Sequence, residues 1–321
     1  MSWSFAKTWN EVIDNRKERE VVARDHLWPS EAGNSFIDTY LKMQGVEFTN
    51  PPNARSFRKF SAGEMFEWVV RMILVKGGIF KESQQHCEYQ YEGLLRVSGR
   101  ADFTIGGKPK LSNIDKIVSE LEAPEFLKRS GGAIIKDLVK QCPKGLDETM
   151  LEVKSVGSYM FDMITEKDKP LRHHEIQLFH YLKSTGIKQG KIIYIDRDSC
   201  LVKEFVIKLD YERVEGLYKS WIEKATYYYK NKIEPPKEKE LVFEEGKFKK
   251  NWGIAYSSYM TKLYGYELQL DYEKPAQSKA SRYNRVLKRV EDKLSMTAKN
   301  LEAIEEMKKE GYDIKKLIVK Q

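Results

Sequence analysis

The chain has 321 residues, 41% of them hydrophobic and 32% charged, with a formal net charge of +8. That length sets a prior of roughly two domains or one large one with insertions, and the absence of long low-complexity tracts excludes wholesale disorder. The positive balance favours a polyanionic partner, nucleic acid before an anionic membrane, while three scattered cysteines exclude a disulfide framework and a four-thiolate metal site.

Residues 1–60 read as short helices joined by polar turns, with WPSEAGNSF at 28–36 as a turn into a helix. The opening stretch MSWSFAKTWNEVIDNRKERE has no apolar h-region and carries acids, so neither a signal peptide nor a transit peptide is expected. SAGEMFEWVVRMILVKGG at 61–78 predicts a helix: Ser61 and Glu64 form an S-x-x-E capping box and Gly77 supplies the stop. Its apolar run from Trp68 to Val75 is interrupted by Arg71 and far too short for a bilayer. A cytoplasmic protein in a reducing compartment, with no membrane partner, is the expectation.

YEGLLRVSGRADFTIGG at 91–107 reads as a strand pair. Residues 108–147 read as two amphipathic helices split by Ser130-Gly131-Gly132. Strand signals return at 149–156, and HHEIQLFHYLKSTG at 173–186 predicts a helix closed by Gly186. KIIYIDRDSCLVKEFVIKLD at 191–210 reads as a hairpin around Asp196-Arg197-Asp198-Ser199. Just before it, GIKQGK at 186–191 is followed by Ile192 and lacks the P-loop spacing, so an ATP-driven motor is not expected. A helix rich in aromatics, the Pro235-Pro236 break and a charged helical tail at 276–321 follow. The basic residues of that tail (Lys279, Arg282, Arg285, Lys288, Arg289) form either a solvated face or a phosphate-binding arm. The fold class is α/β, a mixed central sheet flanked by helices. The division is an N-terminal helical segment 1–60, a core 61–234 with a helical insertion at 108–147, a segment 235–275 packing back on the core, and the tail 276–321.

In LEVKSVGSY at 151–159, residues two apart share a strand face, so Glu152 and Lys154 project together beside apolar neighbours. Two readings are open: an ion pair on an edge strand, or half of a metal-dependent hydrolytic site. Acid-x-Lys triplets recur at Glu245, Glu291, Glu306 and Asp313, but in polar or helical surroundings where i,i+2 side chains do not share a face. Only Glu152-Val153-Lys154 lies in an apolar strand context. Gly99-x-x-Asp102 precedes it, Gln177-x-x-x-Tyr181 follows it on one helix face, and Gly63-x-x-x-Glu67 places a carboxylate on an otherwise apolar helix.

The order Gly-x-x-x-Glu, Gly-x-x-Asp, Glu-x-Lys, Gln-x-x-x-Tyr resembles the RecB-type branch of the PD-(D/E)XK nuclease superfamily, over about residues 26–265. The resemblance implies a restriction-endonuclease-like core in which Asp102, Glu152 and the Val153 carbonyl hold Mg²⁺ or Mn²⁺. It gives Lys154 the task of positioning or activating the water, and puts Glu67 in a further metal-ligand slot that often holds His. Gln177, Tyr181 and His174 would then hold DNA near the scissile bond. Many members carry four cysteines for an iron–sulfur cluster; here those slots fall on Ser35, Ile254, Ser257 and Leu263, so no cluster is expected and apolar packing should replace it. The long connection from Asp102 to Glu152 is a second departure, and the insertion at 108–147 reads as an arch over the DNA path or as a decorative helical pair.

The implied activity is that of a DNA exonuclease on single strands or duplex ends, hydrolysing phosphodiesters by metal-activated water, with protein partners in replication or recombination. A catalytically silent DNA-binding scaffold subunit and a restriction-type endonuclease are the alternatives.

Overall fold

In the computed structural model the described residues are 20–109 and 144–319, together with positions 4, 6, 8, 11, 12, 133, 134, 136, 137 and 140–142. The helical pair expected at 108–147 lies for the most part outside them. The chain forms two compact units, one chiefly of residues 24–33 and 52–231, the other chiefly of 34–51 and 232–321.

The first unit is a six-stranded mixed sheet: β1 (His26–Leu27), β2 (Phe80–Tyr89), β3 (Arg96–Gly107), β4 (Leu146–Val156), β5 (Gln189–Asp196) and β6 (Val202–Lys208). Along the sheet β3, β4, β5 and β6 are successive neighbours, and β2 lies antiparallel to β3. The strand pair expected inside 91–107 is instead one strand, β3, whose partner β2 comes from residues 80–89. The polar sequence FKESQQHCEY carries no clean alternation, so the register with β3, not β2's own pattern, makes it a strand. Between β4 and β5 the chain crosses over through helices at Ser158–Lys167 and Arg172–Thr185, which gives the parallel β4–β5 pair. The expected hairpin is present as β5–β6.

In chain order the helices are α1 (Phe36–Met43), α2 (Ala54–Lys76), α3 (Ser158–Lys167), α4 (Arg172–Thr185) and α5 (Glu212–Lys230). α2 begins seven residues before the expected start. Asn53 is its cap, accepting the Ser56 N–H at 3.1 Å, so the capping-box pattern at Ser61 lies inside the helix. Gly186, at φ +76°, ends α4 in the left-handed region as expected.

Phe66, Val70 and Leu74 of α2 pack on one face of the sheet with Leu151, Val153, Phe103 and Ile105. The other face is covered by α4: a Cβ on Gly190 would stand 2.8 Å from Leu178 of that helix, and Gly190 is paired with Met150. Side chains alternate along β4, so Met150, Glu152 and Lys154 share the α4 side. This is the mixed α/β sheet flanked by helices that the pattern implies.

The second unit has α1, a two-stranded sheet, β7 (Leu241–Glu244) and β8 (Lys247–Lys250), and helices α6 (Trp252–Ala255), α7 (Met260–Tyr264), α8 (Gln269–Glu291), α9 (Ala298–Lys309) and α10 (Ile314–Val319). In the segment 276–321, Ala280, Tyr283, Val286, Leu287, Ala303 and Met307 are buried with Leu241 and Phe248 in one core. Among the described residues no helix is long and apolar enough to cross a membrane.

Candidate active site

β3 uses its two edges differently. One edge pairs with β2 along its length, while the other pairs with β1 at residues 96–97 and with β4 only from Phe103 onward. The β3–β4 ladder stops at Phe103–Leu151; one residue further would set Asp102 opposite Glu152. There the Asp102 side chain takes over from the ladder, its Oδ2 accepting the Val153 N–H at 2.8 Å. The strands diverge at the point where the two carboxylates and Lys154 meet.

Glu152 is fully buried, Asp102 is 8% exposed, and Lys154 keeps a quarter of its side chain open. Lys154 is ion-paired with Glu152, yet neither Glu152 oxygen receives a well-directed hydrogen bond. Burial first, and then the negative charge of Asp102, holds the Glu152 carboxyl far above the ordinary carboxylate range. Asp102 is raised by burial too, against the pull of Lys154 and the Val153 N–H. Lys154 is raised, because Glu152, Asp102 and Glu67 together outweigh its desolvation, so it stays cationic.

Glu67, half-buried on α2, is pushed up to about 7 by burial and by Asp102. Three carboxyl groups therefore share one ammonium. Among the described residues no three His, Cys, Asp or Glu side chains converge as a ready cluster, so Glu67 stands at charge-coupling distance instead of joining the other two.

The second motif is brought to the same place but buried. Gln177 Nε2 donates to Tyr181 Oη at 3.1 Å, and the two side chains are 7% and 2% exposed. Tyr181 is kept protonated by burial and by the charge of Glu152. It also packs at Gly99, where an added Cβ would stand 3.3 Å from the Tyr181 ring and 2.6 Å from Pro29. The Gly-x-x-Asp motif thus needs its glycine for close packing. His174 is held neutral by burial, with Nδ1 2.8 Å from Tyr194 Oη, which also accepts the Leu171 N–H at 3.0 Å.

One contributor was not singled out in the sequence. Tyr194 is paired with Lys154 in the β4–β5 register and fixes His174; the alternation in KIIYID was the available signal. His173, first of the two histidines opening the 173–186 motif, meets His174 edge to face with ring centroids 4.1 Å apart, and burial, then the charge of Lys154, lowers it to about 4.

The cysteine-equivalent slots behave differently from the expected apolar packing. Ser35 and Ser257 both donate to Asp38 Oδ1, at 3.0 and 2.8 Å, and the Ser258 N–H donates to Oδ2 at 3.1 Å. Ile254 and Leu263 are buried apolar residues. A buried carboxylate ties half of the frame, and apolar contacts hold the rest.

No family model matches the chain, and comparison with curated proteins returns no match. Among solved structures, the protein SSO0001 is 16% identical, with a TM-score of 0.41 over 69% of this chain and 87% of that one. The exonuclease LHK-Exo in complex with dAMP is 10% identical, with a TM-score of 0.39 over 71% and 94%. The alkaline exonuclease LHK-Exo from Laribacter hongkongensis is 10% identical, with a TM-score of 0.34 over 65% and 93%.

Proposed function

We propose that the protein is a metal-dependent DNA nuclease of the PD-(D/E)XK type, an exonuclease acting on single strands or duplex ends. The observation that supports it is the buried Glu152 carboxylate, charge-coupled to Asp102, whose compensation is the ion pair with Lys154 and which receives no well-directed hydrogen bond. A buried anion pair is costly unless matched by positive charge. Hard oxygen donors with too little cationic compensation fit Mg²⁺ or Mn²⁺.

Asp102, Glu152 and the Val153 carbonyl would hold that ion, which when bound supplies charge neutralisation at the scissile phosphate and a more acidic attacking water. Lys154 stays protonated beside the carboxylates, where it orients the water and offsets negative charge as the phosphate is attacked. Glu67, near neutrality in its pKa, takes or returns a proton at the edge of the site. Gln177 and Tyr181, hydrogen-bonded to each other and within electrostatic reach of Glu152, wall the buried side of the site, and His174 braces the strand beside Lys154 through Tyr194.

The test is incubation with end-labelled single- and double-stranded DNA in Mn²⁺, Mg²⁺ or EDTA. Cleavage with Mn²⁺ or Mg²⁺, none in EDTA, and a loss of at least about 10³-fold in Glu152→Ala and Lys154→Ala proteins with unchanged melting profiles is expected. Wild-type-like turnover by either folded variant overturns the assignment.

A further inference from the structure

Beyond the carboxylates, α2 carries a second feature. Arg55, Lys59, Gly63 and Glu67 recur every four residues, so they form one row along the helix. Glu67 is the member at the candidate site. One turn before it, Gly63 lies over the end of β4: a Cβ there would stand 3.5 Å from Ser155 Oγ. A further turn back is Lys59, within electrostatic reach of Arg55 and of Arg197.

Arg197 comes from a separate element, the turn between β5 and β6. Its N–H donates to the Val156 carbonyl at 2.9 Å, and its guanidinium Nη2 is 3.5 Å from where a Gly157 Cβ would stand. Three cations from two elements therefore converge beyond the last residues of the strand that bears Glu152 and Lys154.

Among the described residues no carboxylate is paired with Arg55, Lys59 or Arg197. The acids flanking Arg197 in sequence are engaged locally: Asp196 accepts from Ser158, Ser199 and the Asp198 N–H, and Asp198 accepts from Ser158. The basic residues of α8 contrast with this. Lys279 is paired with Glu240 and Glu310, and Arg282 with Glu306. Like charges brought together with no counter-ion repel one another, and that cost is offset when a polyanion lies among them.

We infer that Arg55, Lys59 and Arg197 form a cradle for the phosphate backbone of the DNA strand whose scissile bond lies at Asp102 and Glu152. The inference deepens the nuclease reading and rests on it for the identity of the strand. Contact to phosphates is blind to base sequence and depends on salt through counter-ion release.

The test uses the full chain in EDTA, so that nothing is cleaved, and follows the anisotropy of a labelled oligothymidylate across a salt series. R55Q/K59Q/R197Q is compared with wild type and with K274Q/K288Q/K299Q, which removes the same charge from exposed positions of the second unit. Thermal melts check that each is folded. The cradle variant should lower the magnitude of the slope of log affinity against log salt by about 0.7 per lost contact, about 2 in all, and weaken binding roughly 10- to 100-fold at 0.1 M salt. The control triple should keep the wild-type slope.

Equal slopes for both triples overturn the cradle. Displacement of the oligonucleotide by inorganic phosphate, beyond the effect of chloride at equal ionic strength, also overturns it in favour of a free-phosphate site. Glu152-dependent cleavage with an unchanged slope removes the cradle and leaves the nuclease reading. Lost binding in the cradle variant with no cleavage by wild type does the reverse.

Discussion

His180 carries a charge argument that is independent of the candidate site. It is fully buried, with Nε2 3.2 Å from the Cys87 carbonyl and Nδ1 2.8 Å from Tyr218 Oη. A carbonyl only accepts, so Nε2 carries the proton and Nδ1 accepts from the tyrosine. Burial lowers the ring to about 4 from an ordinary 6.5. The unfolded chain takes up a proton below pH 6.5 that the folded protein refuses until about pH 4, so stability is lost as pH falls through that window. From pH 7 to near pH 4.5 this amounts to roughly 2–3 kcal/mol. His180→Phe should be less stable at pH 7, because Tyr218 and Cys87 lose their partner, yet decline less on acidification. Urea unfolding at the two pH values checks it; an identical decline in both proteins would remove His180 from the acid response.

At the scale of elements, Asp38 shows how two distant segments of the second unit are joined. Its carboxylate takes hydrogen bonds from Ser35, Ser257 and the Ser258 N–H, all in a buried setting. Asp38→Ala strands three donors and should cost about 2–4 kcal/mol. Asp38→Asn, which keeps an acceptor and removes the charge whose desolvation raises this carboxyl, should cost less. Equal melting temperatures for Asp38→Ala and wild type would show that the knot is not needed. The same frame illustrates what the sequence could and could not disclose. WPSEAGNSF reads correctly as a turn into a helix, but that Ser35 and Ser257 share one acceptor depends on a contact between remote segments. The Glu-x-Lys strand, the α4 helix and the β5–β6 hairpin were legible because alternation, a glycine stop and turn residues are local signals. β2 was not, because it is a polar strand set by its pairing with β3, and the start of α2 was misread because Ser61 and Glu64 imitate a cap that Asn53 supplies. Arg197 stood inside a recognised turn, but its convergence with Lys59 is a property of the fold.

For the whole molecule, the net charge of +8 overstates the free positive surface, since α8 cations are matched by Glu240, Glu306 and Glu310. At the candidate site three carboxyl groups share the one ammonium of Lys154, and the proposed cation would couple that site to global stability. Glu152 is raised to about 8 by burial and by Asp102, so between pH 4.5 and 8 the folded apo protein holds a proton that the unfolded chain has released. Apo stability therefore falls as pH rises through this window. A divalent cation must displace that proton, so its affinity should increase over the same range, and a ligand bound only by the folded state raises stability by RT ln(1 + [L]/Kd). Millimolar Mn²⁺ should accordingly raise the melting temperature more at pH 8.5 than at pH 6, by about 2–4 °C for each kcal/mol of added stability. EDTA should reverse the shift, and Glu152→Gln should abolish both the shift and its pH dependence. A shift of equal size at both pH values, or one retained in Glu152→Gln, would place the bound cation somewhere other than between Asp102 and Glu152.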